Sequence, residues 1–393
     1  MKARIQELTQ KVLPEVIAHR HHIHANPELS FEEFKTSAYI SLKLDEMGVK
    51  YEKMANTGIV ALITGDKPSD KVTALRADID ALPITEQNDV PYKSKNEGVM
   101  HACGHDVHSS SMLGTAQILT DMKSEFGGTV KLIFQPAEEK APGGASIMIK
   151  EGVLENPRPQ GIVGQHVMPL IDVGKVGFRT GKYMASADEI YFTVKGKGGH
   201  GAMPQYNIDP VLITSHIIVA LQQIISRNAH PTIPSVLSFG RVEALGATNV
   251  IPNEVKVAGT FRTFDEKWRA EALVKIQKMA TGIAESMGGT VEFNIVNGYP
   301  FLVNEEKITA RARAAAVEYL GKENVEDLDL WLAAEDFAYY SQVTDACFYR
   351  LGIRNEAKGI TSSVHTPTFD IDEDAFKLST GLMAFIALKE LGN

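Results

Sequence analysis

Short apolar runs alternate with longer amphipathic stretches over most of the chain. An uninterrupted apolar run predicts a strand that is covered on both faces, whereas apolar residues three or four positions apart predict a helix. The predicted strands are Gly58–Thr64, Val72–Ala77, Thr129–Phe134, Gly161–His166 and Ala346–Leu351, and the predicted helices are Val107–Met122, Ala145–Glu151, Ile308–Leu320 and Asp374–Leu391. This alternation predicts an α/β fold with a mostly parallel sheet that is covered by helices on both faces.

The first fifty residues predict two helices that are separated by a turn at Pro27. Ser30 is followed three residues later by Glu33, which is the spacing of a capping box. We therefore expect the second helix to begin at Ser30 and to end near Met47.

Residues 185–296 have a different order of predicted elements, in which strands and helices follow one another as βαββαβ. This order predicts a four-stranded antiparallel sheet with two helices on one face. Glycine and proline are frequent on both sides of the segment, as is typical of linkers. We predict that 185–296 is a domain inserted into a larger domain made of 1–184 and 297–393. The predicted elements of the insert are Glu189–Lys195, Pro210–Arg227, Val236–Glu243, Glu254–Phe264, Glu266–Met287 and Thr290–Val296.

The amino-acid composition and net charge exclude several classes of protein. The 393 residues are 44% hydrophobic and 23% charged, which is typical of globular domains and argues against disorder. The formal net charge is −9, so the chain has no general attraction to nucleic acid or anionic lipid. We expect neither a nucleic-acid partner nor a membrane partner.

Cysteine usage and hydropathy indicate the compartment. Cys103 and Cys347 lie far apart and cannot form a disulfide framework, which favours a reducing environment. The N-terminus lacks the apolar core of a signal peptide, and the longest uncharged run, Pro210–Ser226, is too polar to span a membrane. We expect this run to be a buried helix and the protein to be cytoplasmic.

Three imidazoles, a thiol and a carboxylate lie within eight residues just before a predicted helix. Thiolate and imidazole groups are ligands for transition metals. Two other interpretations stay open at this point: a polar helix start with a buried structural cysteine, and a Cys–His nucleophilic pair. The residues are His101, Cys103, His105, Asp106 and His108.

A second cluster follows the strand predicted at Thr129–Phe134, where Glu138 and Glu139 are adjacent. The functional crevice of an open α/β sheet lies beyond the carboxyl ends of its strands. One of the two carboxylates can therefore bind metal while the other faces a metal-bound water, although such a pair is more often only a solvated surface. His166 closes another predicted strand, and His365 lies in a loop before the last helix.

Taken together and in this order, these motifs resemble the aminoacylase/carboxypeptidase metallohydrolase superfamily. The resemblance is greatest to the amidohydrolase branch that contains hippurate hydrolases, N-acyl-amino-acid deacylases and auxin-conjugate hydrolases, and it covers nearly the whole chain. The motifs are Arg76-Ala77-Asp78-x-Asp80-Ala81-Leu82-Pro83, His101-x-Cys103-Gly104-His105-Asp106-x-His108, Phe134-Gln135-Pro136-Ala137-Glu138-Glu139, Gly199-His200-x-x-x-Pro204 and Glu335-Asp336-Phe337.

The resemblance implies two divalent metal ions in each subunit, Mn or Zn, with Co or Ni as alternatives. Cys103 would bridge the two ions, Glu139 and His365 would complete one site, and His105 with His166 the other. Glu138 would be the general base that activates a metal-bound water. Four neighbouring residues would support the ligands: Asp78, His101, Asp106 and His108.

The same resemblance makes the inserted domain a lid that also forms a homodimer. His200 would stabilise the oxyanion, reaching the active site of the dimer partner, and Asn249 and Arg262 would bind the substrate carboxylate. The implied reaction is hydrolysis of the amide bond of small N-acyl amino acids or similar conjugates. A dipeptidase or carboxypeptidase of the same superfamily is the alternative, and a thiol hydrolase that uses Cys103, or a non-catalytic metal-binding protein, stays open.

The chain departs from the family pattern at positions that border the predicted crevice. Ala333 and Ala334 precede Glu335 where a glycine pair is usual, and Gly201 follows His200 where alanine is usual. These departures remove no proposed ligand, but they leave the preferred substrate open.

Overall fold

A computed structural model describes residues 1–393 and divides the chain into two compact units. The larger unit is made of Met1–Tyr183, Val303–Leu330 and Asp336–Asn393. The smaller unit is made of Met184–Leu302 and Trp331–Glu335.

The chain forms nine α-helices and sixteen strands. The helices are α1 (Lys2–Ala25), α2 (Phe34–Glu46), α3 (His105–Asp121), α4 (Gly144–Lys150), α5 (Pro210–Gln223), α6 (Glu266–Ser286), α7 (Glu306–Leu320), α8 (Ala338–Ser341) and α9 (Phe376–Glu390). The strands are β1 (Tyr51–Met54), β2 (Gly58–Thr64), β3 (Lys67–Asp78), β4 (Gly127–Gln135), β5 (Ile162–Asp172), β6 (Val176–Phe178), β7 (Gly181–Met184), β8 (Asp188–Lys195), β9 (Gly199–His200), β10 (Ser235–Glu243), β11 (Val250–Ile251), β12 (Glu254–Thr263), β13 (Thr290–Asn297), β14 (Leu302–Asn304), β15 (Val325–Asp327) and β16 (Ala346–Arg354).

The larger unit is built around an eight-stranded sheet in the order β1-β2-β4-β3-β5-β16-β6-β15. The four central strands β4, β3, β5 and β16 run parallel to one another, while β1, β2 and β6 pair antiparallel with a neighbour. Because β3 and β4 are parallel neighbours, the turns after Asp78 and Gln135 lie at the same edge of the sheet. This edge holds most of the candidate chemistry.

Side-chain alternation along β16 shows that both faces of this sheet are covered. Cys347, Tyr349 and Leu351 join the main hydrophobic core, to which α1, α3, α7 and α9 contribute their apolar faces. Phe348 points to the opposite face, where its ring stacks on Phe337 at 4.8 Å, next to α8. The predicted α/β architecture is therefore confirmed.

The predicted strands of the larger unit are all present, with some differences in length. Gly58–Thr64 is reproduced as β2, but β3 begins at Lys67 because five exposed residues extend it before the buried part. The strand that carries His166 continues to Asp172, so His166 lies within β5 rather than at its end.

The capping-box prediction at Ser30 is wrong. The second helix begins at Phe34, and the Ser30 hydroxyl instead donates a 2.6 Å hydrogen bond to Asp80. Glu33 is buried, and its carboxylate accepts hydrogen bonds from Thr57 Oγ1 (2.7 Å) and from the backbone N–H of Ala137 (2.8 Å). Both side chains therefore make tertiary contacts to the loops that carry the candidate site.

The smaller unit has the predicted βαββαβ order. Its four-stranded antiparallel sheet runs β10-β12-β8-β13, with α5 and α6 packed on one face. Apolar residues at every second position of β8, such as Ile190, Phe192 and Val194, face the helices. The inserted α/β sandwich is confirmed.

One helical stretch, Pro210–Asn228, is long and apolar enough to cross a membrane by length and composition, with a mean hydropathy of 1.2. Ile213, Ile217 and Leu221 recur every four residues and pack into the core of the smaller unit. Only this face is covered, since Leu212 and Val219 are 50% and 74% exposed. The predicted buried helix is therefore buried on one side.

Candidate metal centre and active site

The loop before α3 presents Cys103 and His105. Gly104 has a φ of +83°, and a Cβ atom at this position would lie 2.6 Å from the Val167 side chain, so only glycine fits the turn. α3 begins directly at His105. The turn therefore brings the thiol and the imidazole, two residues apart, into the same buried group.

His105 has one ring nitrogen that is engaged and one that is free. Nδ1 lies 2.9 Å from the backbone oxygen of Asp80 and 3.1 Å from its carboxylate, while the buried Nε2 has no hydrogen-bond partner. Burial acts to lower the pKa of His105, but Asp78 and Asp80 outweigh it and raise the pKa to about 10. The carboxylates of Asp78 and Asp80 thus make the surroundings of this nitrogen favourable to positive charge.

His166 is oriented in the same way. Its Nδ1 lies 2.7 Å from the backbone oxygen of Val167, to which it can only donate, so Nε2 carries the lone pair. This Nε2 lies 3.5 Å from Cys103 Sγ. Burial, together with the charge of Arg350, lowers the pKa of His166 well below its usual range. A neutral imidazole thus faces the thiol.

Glu139 and His365 form a second pair beside Cys103. The backbone N–H of Glu139 donates to Asp80 (3.0 Å), and its Oε1 lies 3.1 Å from His365 Nε2. His365 has a φ of +62°, which is uncommon for a residue with a side chain, and its backbone N–H donates a 2.7 Å hydrogen bond to Ala102. The loop before the last helices is thereby fixed next to the Cys103 loop.

The five predicted ligands form two groups that share Cys103. Within each group of three, the candidate ligand atoms all lie within 4.8 Å of one another. One group is Cys103, His105 and His166, and the other is Cys103, Glu139 and His365. Thiol, imidazole and carboxylate donors at this spacing fit divalent transition metals.

Glu138 lies beside both groups. It follows the turn after β4, where Ala137 has a φ of +51° and is held by its hydrogen bond to Glu33. Its Oε1 accepts a hydrogen bond from the backbone N–H of Asp336 (3.3 Å), and its Oε2 lies 4.0 Å from His105 Nε2. The carboxylate is therefore oriented toward the candidate metal position and is almost fully buried.

Asp336 is itself fixed by a buried network. Its carboxylate accepts hydrogen bonds from Arg76, Gln135 and the backbone N–H of Ala145, each 2.8 to 2.9 Å long. Because the chain at Asp336 supplies the N–H that holds Glu138, this network sets the position of the candidate base.

His108 has both ring nitrogens engaged, and Asp78 is bonded by His108 and Arg76, so both residues support the site. His108 Nε2 accepts a hydrogen bond from the backbone N–H of Val167 (2.9 Å), so Nδ1 carries the proton and donates to Asp78 (2.5 Å). Asp78 also accepts from Arg76 (2.6 Å). Burial acts to raise the pKa of Asp78, but His105, His108 and Arg76 hold it well below its usual range. Asp78 is therefore an anion whose Oδ2 lies 3.7 Å from His105 Nε2.

A further buried network on α1 was not predicted from the sequence. Arg20 Nε and His24 Nδ1 both bond Asp106 Oδ2, at 3.2 and 2.9 Å, and His24 Nε2 lies 3.2 Å from Glu86. Asp106 is the residue after His105. The available signal was the spacing, because residues four apart lie on the same face of a helix.

The three remaining predicted residues belong to the smaller unit. His200 is exposed, and its Nδ1 accepts a hydrogen bond from the backbone N–H of Ala202 (3.0 Å), so Nε2 can donate. In the pairing of β9 with β11, His200 lies opposite Val250. The backbone oxygen of Asn249 accepts a hydrogen bond from the backbone N–H of Gly201 (2.9 Å). Arg262 lies on β12 opposite Val236.

Comparison with known proteins agrees with this chemistry. The model of peptidase family M20/M25/M40 matches residues 74–389. Two relatives are the N-acyl-L-amino acid amidohydrolase of Geobacillus stearothermophilus (40% identical over 307 residues, 78% of this chain and 82% of the relative) and thermostable carboxypeptidase 2 of Saccharolobus solfataricus (37% over 378 residues, 95% of each chain).

A solved structure extends the comparison to the fold. The crystal structure of a dinuclear metal-binding peptidase of the M20 family from Bacillus subtilis superimposes with a TM-score of 0.83 at 34% identity, over 98% of this chain and 99% of that one. The resemblance inferred from the motifs is confirmed by these matches. With the family model matching most of its length and relatives aligned from end to end, the chain belongs to peptidase family M20/M25/M40 and is a hydrolase of the amidohydrolase and peptidase type.

Proposed function

We propose that the protein is a dinuclear-metal amidohydrolase that cleaves the amide bond of N-acyl amino acids or similar small conjugates. The observation that carries the proposal is the pair of three-residue groups that share Cys103, with Glu138 beside them. The relative named as an N-acyl-L-amino acid amidohydrolase and the dinuclear neighbour support it.

The donor set fits two divalent ions. Cys103 would bridge them, Glu139 and His365 would complete one site, and His105 and His166 the other. His105 Nε2 is buried without a hydrogen-bond partner, and the Nε2 atom of His166 and the Oε1 atom of Glu139 contact only other candidate ligands, Cys103 and His365. Bound there, the ions would supply Lewis-acid chemistry, making water more acidic and polarising the amide carbonyl. Mn and Zn are the first metals to test, followed by Co and Ni.

Glu138 would act as the general base and acid. Its carboxylate would take a proton from the attacking water and return it to the leaving amine, which is the standard contribution of a positioned carboxylate in amide hydrolysis. Oε2 is the oxygen nearer His105, 4.0 Å from Nε2, and would carry the proton.

The smaller unit would supply the groups that contact substrate. His200 would donate from Nε2 to the developing oxyanion, because its Nδ1 already accepts a backbone hydrogen bond. Arg262 and Asn249 would bind the substrate carboxylate, for which a guanidinium fork is well suited.

We also propose that the chain forms a homodimer through the smaller unit, with His200 serving the partner's active site. The support is a set of exposed apolar side chains on the outer side of the two helices, where Leu212 and Val219 of α5 and Val274 of α6 are 50%, 74% and 65% exposed.

A thiol hydrolase is disfavoured by electrostatics. Burial and the carboxylates of Glu139 and Glu138 raise the pKa of Cys103 well above its usual range. The neighbouring His166 has a lowered pKa, so a thiolate–imidazolium pair is not favoured either. We therefore propose Cys103 as a ligand rather than as a nucleophile.

A screen of acetyl-, benzoyl- and indoleacetyl-amino acids with Mn, Zn, Co or Ni tests the proposal, with a chelator as the control. Metal-dependent release of free amino acid is expected. Dipeptides belong in the same screen, because one relative is named a carboxypeptidase. Faster cleavage of dipeptides than of every acyl amino acid would favour the peptidase alternative, and turnover that survives the chelator would contradict the metal mechanism.

A further inference from the structure

Arg20 of α1 connects two separate segments of the larger unit. Its guanidinium is completely buried and bonds Asp106 (Nε, 3.2 Å), Asp370 (Nη2, 2.5 Å) and Glu373 (Nη1, 3.0 Å). Asp106 is 1% exposed, while the other two carboxylates are 21% and 30% exposed. One cation thus holds three carboxylates that belong to distant parts of the sequence.

Both connected segments carry candidate metal ligands. Asp106 follows His105 in the first turn of α3, and Asp370 lies five residues after His365. The backbone hydrogen bond from His365 to Ala102 is a direct link between the same two segments. The position of His365 relative to Cys103 therefore depends on how firmly these segments are held together.

The geometry of the contact requires a guanidinium. Arg20 lies 4.8 Å above the ring of Tyr92, and the Tyr92 hydroxyl donates to Asp370 (3.0 Å). Each of the three nitrogens of the planar guanidinium donates to a different carboxylate. A lysine ammonium, a single charged group at the end of a flexible chain, cannot reproduce this arrangement. The guanidinium therefore both neutralises the three carboxylates and fixes their positions around it.

We propose that Arg20 is a positioning residue that sets the spacing between the two metal sites, an inference that rests on the proposed two-metal function. Without the fork, the carboxylates of Asp106, Asp370 and Glu373 repel one another, and the segment that carries His365 moves away from Cys103. The ion held through His365 and Glu139 is weakened, while the ion held by His105 and His166 keeps its ligands.

The test is calorimetric titration of the metal-free protein with Co²⁺ alone. Wild type is expected to bind two equivalents, and His365→Asn identifies the equivalent that depends on His365. Arg20→Lys should weaken that same equivalent at least tenfold and leave the other within about twofold, since loss of a group that orients ligands typically costs 10- to 100-fold in affinity. A general loss of stability would not single out one equivalent.

Arg269→Lys is the matched control, because Arg269 is a buried arginine that bonds Asp188 through two nitrogens at 2.7 Å in the smaller unit. It should leave both affinities unchanged. If Arg20→Lys does not fold, as judged by near-UV circular dichroism, Asp370→Asn replaces it in the titration. This variant removes one of the three carboxylates that Arg20 binds, and the same Co²⁺ equivalent should be weakened.

Two results would overturn the inference. Unchanged affinities in the folded Arg20 or Asp370 variant would remove the positioning role and leave the proposed function intact. Binding of fewer than two Co²⁺ by wild type would instead remove the two-metal centre itself, and the positioning role with it.

Discussion

The backbone N–H of His365 donates a 2.7 Å hydrogen bond to the carbonyl oxygen of Ala102, the residue before Cys103. This contact joins the last loop of the chain to the turn that carries the thiol, and it places the Glu139–His365 pair next to Cys103. The candidate centre is therefore assembled from backbone contacts between loops as well as from the side chains themselves.

The shared position of Cys103 predicts that its loss affects both ions. Cys103→Ala removes the only donor common to the two groups, so the bound metal should fall well below two equivalents. Elemental analysis of protein dialysed against metal-free buffer measures this. Cys347→Ala is the matched control, since Cys347 is equally buried but lies in the main core. Two retained equivalents in the Cys103 variant would contradict its role as a bridging ligand.

Glu138 is predicted to be needed for turnover but not for metal binding. Glu138→Gln keeps the shape of the side chain and removes the proton acceptor, so kcat should fall by about 10²- to 10⁴-fold, the usual contribution of a general base. Metal content should stay at the wild-type value. The exposed Glu32→Gln serves as the control. A Glu138 variant with wild-type kcat would show that another group moves the proton.

His200 is predicted to act on the transition state. Its Nε2 is the available donor, and removal of one oxyanion donor costs about 10²- to 10³-fold in kcat. His200→Asn should show this loss with little change in KM and full metal content. His230→Asn, at an exposed loop position of the smaller unit, should behave as wild type. A change confined to KM would indicate a role in substrate binding only.

His24 should make the free energy of unfolding decrease at alkaline pH. Burial opposes the charged ring, but Asp106 and Glu86 outweigh it and raise the pKa of His24 to about 9, from 6.5. Because the folded-state pKa is the higher one, the stabilisation is complete below pH 6.5 and is lost as the pH rises through 9. A shift of this size corresponds to roughly 3 kcal/mol of unfolding free energy.

Urea unfolding at pH 6 and pH 9.5 measures this contribution as the difference between wild type and His24→Gln. The difference should shrink by most of that amount at the higher pH. His19→Gln is the control, since burial lowers the pKa of His19 to about 4, so its contribution to stability rises slightly from pH 6 to pH 9.5, the opposite direction to that of His24. A His24 difference that is independent of pH would show that the ring is neutral in the folded protein.

The architecture was predictable because apolar periodicity is a local signal, as the match between the predicted and observed Gly58–Thr64 strand shows. Cys103, His105 and Glu139 lie in dense motifs before a helix or after a strand, whereas the full set of five ligands, with His166 and His365, came from the family resemblance. Ser30 and Glu33 were misinterpreted because their partners, Asp80, Thr57 and Ala137, are distant in sequence. Arg20 was missed for the same reason: its spacing from His24 places both residues on one face of α1, but their carboxylate partner Asp106 is distant in sequence.

The proposed dimer leads to a complementation experiment with the two catalytic variants already described. If His200 serves the partner's site, a mixed dimer of Glu138→Gln and His200→Asn chains contains one site with both groups intact. Mixing the two inactive proteins under conditions that allow subunit exchange should then restore up to about a quarter of wild-type activity, because random exchange in a two-fold dimer makes half the dimers mixed and half of their sites intact. A double variant, Leu212→Glu with Val219→Glu, should prevent this recovery by separating the subunits, which light scattering measures as a halved mass. No recovery between variants that exchange subunits freely would show that His200 acts within its own chain.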